Sequence, residues 1–172
     1  MARSAGIYDM ALMEAIHCLK YKGKRQLSSP LGVILFSTFI RHWKTKDIDM
    51  VIPVPLHIKR FKKRGFNQAY LLIRNWPKIA ESVNVSFSDV NICKDILVRQ
   101  TLTDPQTGLN RKKRMANVKH AFSLKRPSDV KGKRILLVDD VLTTGATADA
   151  CAHTLMRGGA ACVDVLTLAQ TL

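Results

Sequence analysis

The fourteen residues Arg134–Thr147 (RILLVDDVLTTGAT) constrain this chain more than any other stretch. They open with Ile135–Val138, an unbroken apolar run of the kind a strand buried on both faces needs. Asp139 and Asp140 follow at once. Thr143, Thr144, Gly145, Ala146 and Thr147 then lead into the helical pattern ATADACAHTLMRGG. The order is buried strand, acid pair, small hydroxylated turn, helix start. It places acids and hydroxyls at the carboxyl edge of a parallel sheet, where α/β proteins bind their ligands. A helix start presents unpaired N–H groups, and hydroxyls beside them complete an anion cradle over Thr143–Thr147, with phosphate the expected anion. The acids suit another part of the same ligand: its hydroxyls, or a magnesium ion carried with a polyphosphate. A ribose 5-phosphate, with a phosphate at one end and a diol in the middle, satisfies both halves.

The chain has 172 residues, enough for one domain with a full core. No apolar run reaches the roughly 18 residues of a membrane span. No export signal is visible, so the cytoplasm is the expected setting. Cys18, Cys93, Cys151 and Cys162 contain no Cys-x-x-Cys pair, which argues against a zinc ribbon or a disulfide framework; buried single thiols are expected, and no metal site built from protein side chains. The net charge of +15, from 28 basic and 13 acidic residues, implies affinity for polyanions, whether nucleic acid or a ligand carrying several phosphates.

In chain order, Ile7–Tyr21 has a helical apolar spacing, and a basic turn follows around Gly23. A second helix is predicted from about Ser29 to Trp43, with Pro30 in its first turn. Asp49–Val54 is the first convincing strand, and Pro53 and Pro55 shape the backbone where it leaves the sheet. The stretch His57–Gly65 reads as a basic loop pointing at the rim that holds Asp139, with Arg60 and Arg64 facing a pyrophosphate. Asn67 caps a helix to Trp76, which Pro77 bends or restarts. Val90–Lys94 and Phe122–Leu124 are short strand candidates. Arg99–Asn117 has no clean period; it reads as a basic flap able to close over a charged ligand, with a short helix from about Asn110 to Ala116. The helix Ala146–Arg157 ends at Gly158 and Gly159, and Ala161–Leu168 is a closing buried strand.

Val138–Thr147 resembles the phosphoribosyl pyrophosphate (PRPP) signature of the type I phosphoribosyltransferases. Val51–Ala69 (VIPVPLHIKRFKKRGFNQA) resembles the ComF branch of that family. So does Arg99–Phe122, through Arg99, Thr103, Gln106, Leu109, Arg114, Asn117, Ala121 and Phe122. The likeness runs from about Tyr8 to Leu168. It implies the type I phosphoribosyltransferase fold: one α/β domain over 1–172 with a central, mostly parallel sheet flanked by helices. Residues 1–46 would form a small N-terminal helical hood and 47–172 the PRPP-binding core, with a flexible basic flap. Many members begin with a four-cysteine zinc module that this sequence lacks; either the module was lost or the start was set late, and cysteine ligation of metal is not carried over.

The resemblance assigns the ribose 2′- and 3′-hydroxyls to Asp139 and Asp140 and the 5-phosphate to the turn Val141, Leu142, Thr143, Thr144, Gly145, Ala146 and Thr147. Pro55, Leu56, His57, Arg60 and Arg64 fall on the pyrophosphate side. Arg99 and Arg114 are both candidates to reach the reacting centre, with no ranking between them. The implied reaction is Mg²⁺-assisted displacement at C1 of ribose by a nitrogen nucleophile, with pyrophosphate leaving. The acceptor is not legible: Phe61 and Phe66 are placed to stack on a base, and equally to pack in the core. Related transferases often pair, so a homodimer is implied, although no stripe marks an interface. Family members include competence proteins needed for DNA uptake. The rival reading is therefore a non-catalytic accessory protein that holds single-stranded DNA or docks on an uptake helicase, with PRPP as regulator or relic.

Overall fold

The computed structural model describes residues 1–100 and 121–171. In chain order the elements are β1 (Ala2–Ile7), α1 (Met10–Tyr21), α2 (Ser28–His42), β2 (Met50–Pro53), α3 (Ile58–Arg64), α4 (Gln68–Ile73) and α5 (Trp76–Ser82). After them come β3 (Asn91–Ile92), β4 (Leu97–Arg99), β5 (Phe122–Leu124), β6 (Arg134–Leu142), a helix we number α6 (Ala146–Arg157), and β7 (Cys162–Gln170). Five strands form one sheet in the order β1-β7-β6-β2-β3, and every pairing in it is parallel. β6 is thus the middle strand. β4 and β5 form a separate antiparallel ribbon.

The apolar run of β6 serves two cores. Leu136 and Val138 face one layer with Leu35, Phe36 and Phe39 of α2, Leu72 of α4 and Trp76 of α5. Ile135 and Leu137 face the other with Ala148, Cys151 and Leu155 of α6, and with Leu97 and Phe122 of the ribbon. Alternation across the strand gives each side a pair, so no polar side chain is tolerated over Ile135–Val138. The first core is aromatic at its centre: the rings of Phe39 and Trp76 stack at 5.1 Å, and Phe36 meets Trp76 edge-on at 5.4 Å. α2 and α4 approach closely at Gly32, where a Cβ would stand 2.6 Å from the Leu72 carbonyl oxygen.

Three elements differ from the sequence-based expectation, the first being β4, an unexpected strand that takes in Arg99. Ala2–Ile7, upstream of the expected first helix, forms an edge strand along β7, with Ser4 beside Thr167. The helical N-terminal region is therefore tied into the sheet by β1 and into the core by α2. The stretch after Pro55 is a helix and not a loop. His57 caps α3, its Nδ1 accepting from the Lys59 N–H at 3.2 Å, and Gly65 ends it in the left-handed region at φ 79°. The expected flap, with Thr103, Gln106, Leu109, Arg114 and Asn117, falls outside the described residues, apart from Arg99, which pairs with Phe122 in the β4–β5 ribbon. Among the described residues no helix is long and apolar enough to cross a membrane.

Candidate functional site

The carboxyl end of β6 carries the acid pair, and the strand's alternation splits it. Asp140 is 4 % exposed and turns toward α1, where Lys20 Nζ lies 2.6 Å from its Oδ2. Asp139 is half-buried, lies beside Thr167 of β7 in the sheet register, and accepts the Asp140 N–H at 2.8 Å through its Oδ1. Burial first, and the Asp140 charge second, push the Asp139 carboxyl up to about 8, against the opposing pull of the Asp140 N–H and the Lys20 ammonium.

Beside Asp139 lies a hollow of about 40 Å³ lined by Val141 and Leu142 at the end of β6, the turn Thr143–Gly145, Ala146, Thr147 and Ala148 at the start of α6, and Thr167. Gly145 forms the N-cap of α6 at φ 76°, a conformation that a side chain resists. Its carbonyl accepts the Asp149 N–H at 2.8 Å, which starts the helix. Thr144 Oγ1 lies 3.5 Å from the Ala146 N–H. Thr167 is fully buried and shares a 2.6 Å hydrogen bond with Ser4 Oγ, so the edge strand supports one wall of the hollow. Hydroxyls and helix-start N–H groups around a small hollow are the arrangement an anion cradle requires.

The basic side comes from α3 and the ribbon. The end of β2 is fixed to β6 by the Val54 N–H, which donates to the Val138 carbonyl at 2.8 Å. Asn67 donates to the Val54 carbonyl at 3.0 Å while its Oδ1 caps α4. Between these anchors α3 carries His57, Arg60 and Arg64 at helical spacing. Arg99, at the end of β4, packs its guanidinium 5.3 Å from the Phe122 ring centre. Burial, and then the nearby Arg60 charge, lower the Arg99 pKa, while Cys151 and Asp139 act on it in the opposite sense. The charges of Arg60 and Asp139 thus both reach Arg99, and of the three it is Asp139 that lines the hollow.

Other expected site residues are placed differently. Arg64 bonds Gln68 and lies 5.3 Å from the Tyr21 ring centre, on the α1 side. His57 is buried and uses its Nδ1 on the cap. Pro55 and Leu56 line a larger cavity behind α3, together with Arg99. Phe66 is a core residue with Arg25 over its ring at 4.9 Å, whereas Phe61 is 44 % exposed. Arg114 lies outside the described residues. Sequence reasoning missed Lys20 and Thr167 altogether: nothing local marks either, since only the neighbouring of α1 and β7 with β6 brings them to the acids.

An all-parallel sheet with an acid pair and a hydroxylated turn at the carboxyl edge of its middle strand defines the type I phosphoribosyltransferase fold. Residues 76–171 match the family model of the phosphoribosyl transferase domain. The chain is 32 % identical over 168 residues to the DNA utilization protein YhgH of Escherichia coli K12, an alignment covering 96 % of this chain and 70 % of that protein. It is also 32 % identical to competence protein F of Haemophilus influenzae, covering 96 % and 70 %. Competence protein ComFC of Bacillus subtilis matches at 26 % identity, covering 98 % and 64 %. The chain belongs to the ComF/YhgH family of phosphoribosyltransferase-like proteins.

Proposed function

We propose that the protein binds PRPP with Mg²⁺ at the carboxyl edge of β6 and transfers its ribose 5-phosphate to a nitrogenous acceptor. The supporting observation is the hollow itself, where Asp139 meets the Thr143–Thr147 turn at the start of α6, with Arg99 near enough for the Asp139 and Arg60 charges to act on it. In this reading the turn and the start of α6 take the 5-phosphate. Asp139 and Asp140 hold the ribose hydroxyls, Asp140 after exchanging the Lys20 ammonium for the sugar. Arg60 and Arg99 face the pyrophosphate, whose charge grows as its bond to C1 breaks and the bond from C1 to the acceptor nitrogen forms. The acceptor gives up its N–H proton, which passes to the leaving pyrophosphate or to solvent.

The donor set suits Mg²⁺. Asp139 offers a hard carboxylate oxygen beside the hydroxyls, and pyrophosphate oxygens and water would complete the shell. The ion would supply added positive charge between pyrophosphate and ribose. Arg114 keeps the role that the family resemblance assigns to it. A cytoplasmic setting and a homodimer go with this reading.

The second reading is an accessory protein for DNA handling that binds single-stranded DNA or an uptake helicase. It is favoured by the +15 charge and by relatives described as DNA utilization and competence proteins. Calorimetric titration with PRPP, with and without Mg²⁺, separates the two when repeated on the Asp139→Asn/Asp140→Asn variant. Micromolar, Mg²⁺-dependent binding that the variant loses supports the transferase-type site. A well-folded protein that ignores PRPP but binds single-stranded DNA with a steep salt dependence supports the accessory role.

A further inference from the structure

A cavity of about 560 Å³, far larger than the hollow beside Asp139, lies behind α3. Arg60 and Arg64 stand on one side, and Ile58, Phe61 and Gly65 on the neighbouring side that lines the cavity. The remaining wall comes from α4 and from the approach to β4.

Its lining has a definite chemistry. Phe61 is an exposed aromatic ring at the wall, and Tyr70 adds a second. Arg25, Arg74, Lys94 and Arg99 contribute four cations against a single carboxylate, Asp95. Three of the cations already lie on rings: Lys94 Nζ is 5.4 Å from the Tyr70 centre, Arg25 lies over Phe66, and Arg99 lies over Phe122. Neither Arg74 nor Lys94 has a carboxylate partner within ion-pair distance among the described residues. A cavity of this size suits a ligand of small-molecule dimensions. Aromatic platforms combined with surplus cations fit a planar base carrying a phosphate, and Asp95 offers an acceptor for ring N–H or amino groups.

We propose that this cavity is a second, nucleotide-binding site, which takes a base against Phe61 and a phosphate between Arg74 and Lys94. Arg99, which feels the Arg60 and Asp139 charges, lines this wall together with Pro55 and Leu56, which the family resemblance gives to the pyrophosphate side, so occupancy of the cavity bears directly on that side of the first site. The site stands whether or not the chain turns over PRPP. Its nucleotide can be free or a unit of a single strand, and both share the same base-and-phosphate chemistry.

The test uses ligands without a 5′-phosphate, which leave the Thr143–Thr147 cradle unfilled: thymidine 3′-monophosphate and a 5′-hydroxyl oligothymidylate. Each is titrated calorimetrically against the full chain and against Phe61→Ala, Arg74→Gln and Asp139→Asn. Binding is expected to weaken about tenfold in each of the first two variants, as loss of one stacking or phosphate contact would give. It should be unchanged in Asp139→Asn, and PRPP affinity should be kept in the first two. Phe61→Trp should retain binding and report it by quenching of its fluorescence. Mononucleotide binding with this pattern assigns the site to free nucleotides; the same pattern with the oligomer alone assigns it to a strand. No binding of either ligand overturns the proposal. So does binding that Asp139→Asn abolishes, or that Phe61→Ala and Arg74→Gln leave intact.

Discussion

Lys20 Nζ lies 2.6 Å from Asp140 Oδ2, so the second acid of the PRPP signature is held by a residue that is no part of the signature. Both side chains are largely buried, and the pair locks the last turn of α1 to the end of β6. Removing one partner leaves the other charge without compensation in a poorly hydrated place, and Lys20→Met should cost about 2–3 kcal/mol of stability. Asp140→Asn in the same chain should recover part of that loss, because the stranded charge is gone. Urea unfolding of the two single variants and the double variant measures the coupling. If Lys20→Met unfolds at the wild-type midpoint, the pair is a surface contact and not an anchor.

The pH response follows from Asp139. Its folded-state carboxyl stands at about 8 against an ordinary 3.8, because burial and the Asp140 charge disfavour ionisation. Between those values the folded chain holds a proton that the unfolded chain has released, so the stability from this group falls as pH rises. It is complete below about pH 4 and lost by the time pH passes 8. Asp139→Asn mimics the protonated acid and removes this slope. Thermal unfolding from pH 5 to pH 9 should therefore show the wild type losing ground steadily against Asp139→Asn. Under the proposed function, PRPP affinity in Mg²⁺ should rise over the same range, since only the ionised carboxylate attracts the cation. A constant difference between the two proteins across that range would contradict the raised value.

Legibility in the sequence tracked the physics of each element. β6 was plain because its stretch Ile135–Val138 is buried on both faces and cannot carry a polar residue, and the acid pair marks where that stretch ends, although the strand itself runs on to Leu142. α6 announced itself through its amphipathic spacing and terminal glycines. β1 was not legible: ARSAGI is an edge strand with small and polar residues, so it lacks the apolar run that marks β6. α3 read as a loop because its charges leave little apolar period over seven residues, although His57 and Gly65 stand at its two caps. The site divided in the same way. The cradle is continuous in sequence and visible, whereas Lys20, Thr167 and the meeting of Arg60 with Arg99 exist only through tertiary neighbours.

Gly145 offers the cleanest test of the cradle. Its φ of 76° lies in the left-handed region, yet a Cβ there would meet nothing within 4 Å. Gly145→Ala thus adds conformational strain without a clash, worth about 1–2 kcal/mol per residue. Gly132 has φ 71° and equally open surroundings, but it precedes β6 at the far end of the strand. The two alanine variants should therefore lose similar stability in thermal unfolding. Relief of strain at position 145 must distort the turn and redirect the N–H groups at the start of α6, whereas relief at 132 disturbs no ligand group. PRPP affinity should drop at least tenfold in Gly145→Ala and hold in Gly132→Ala. Equal losses of affinity in both would mean that general destabilisation, and not the shape of the cradle, governs binding.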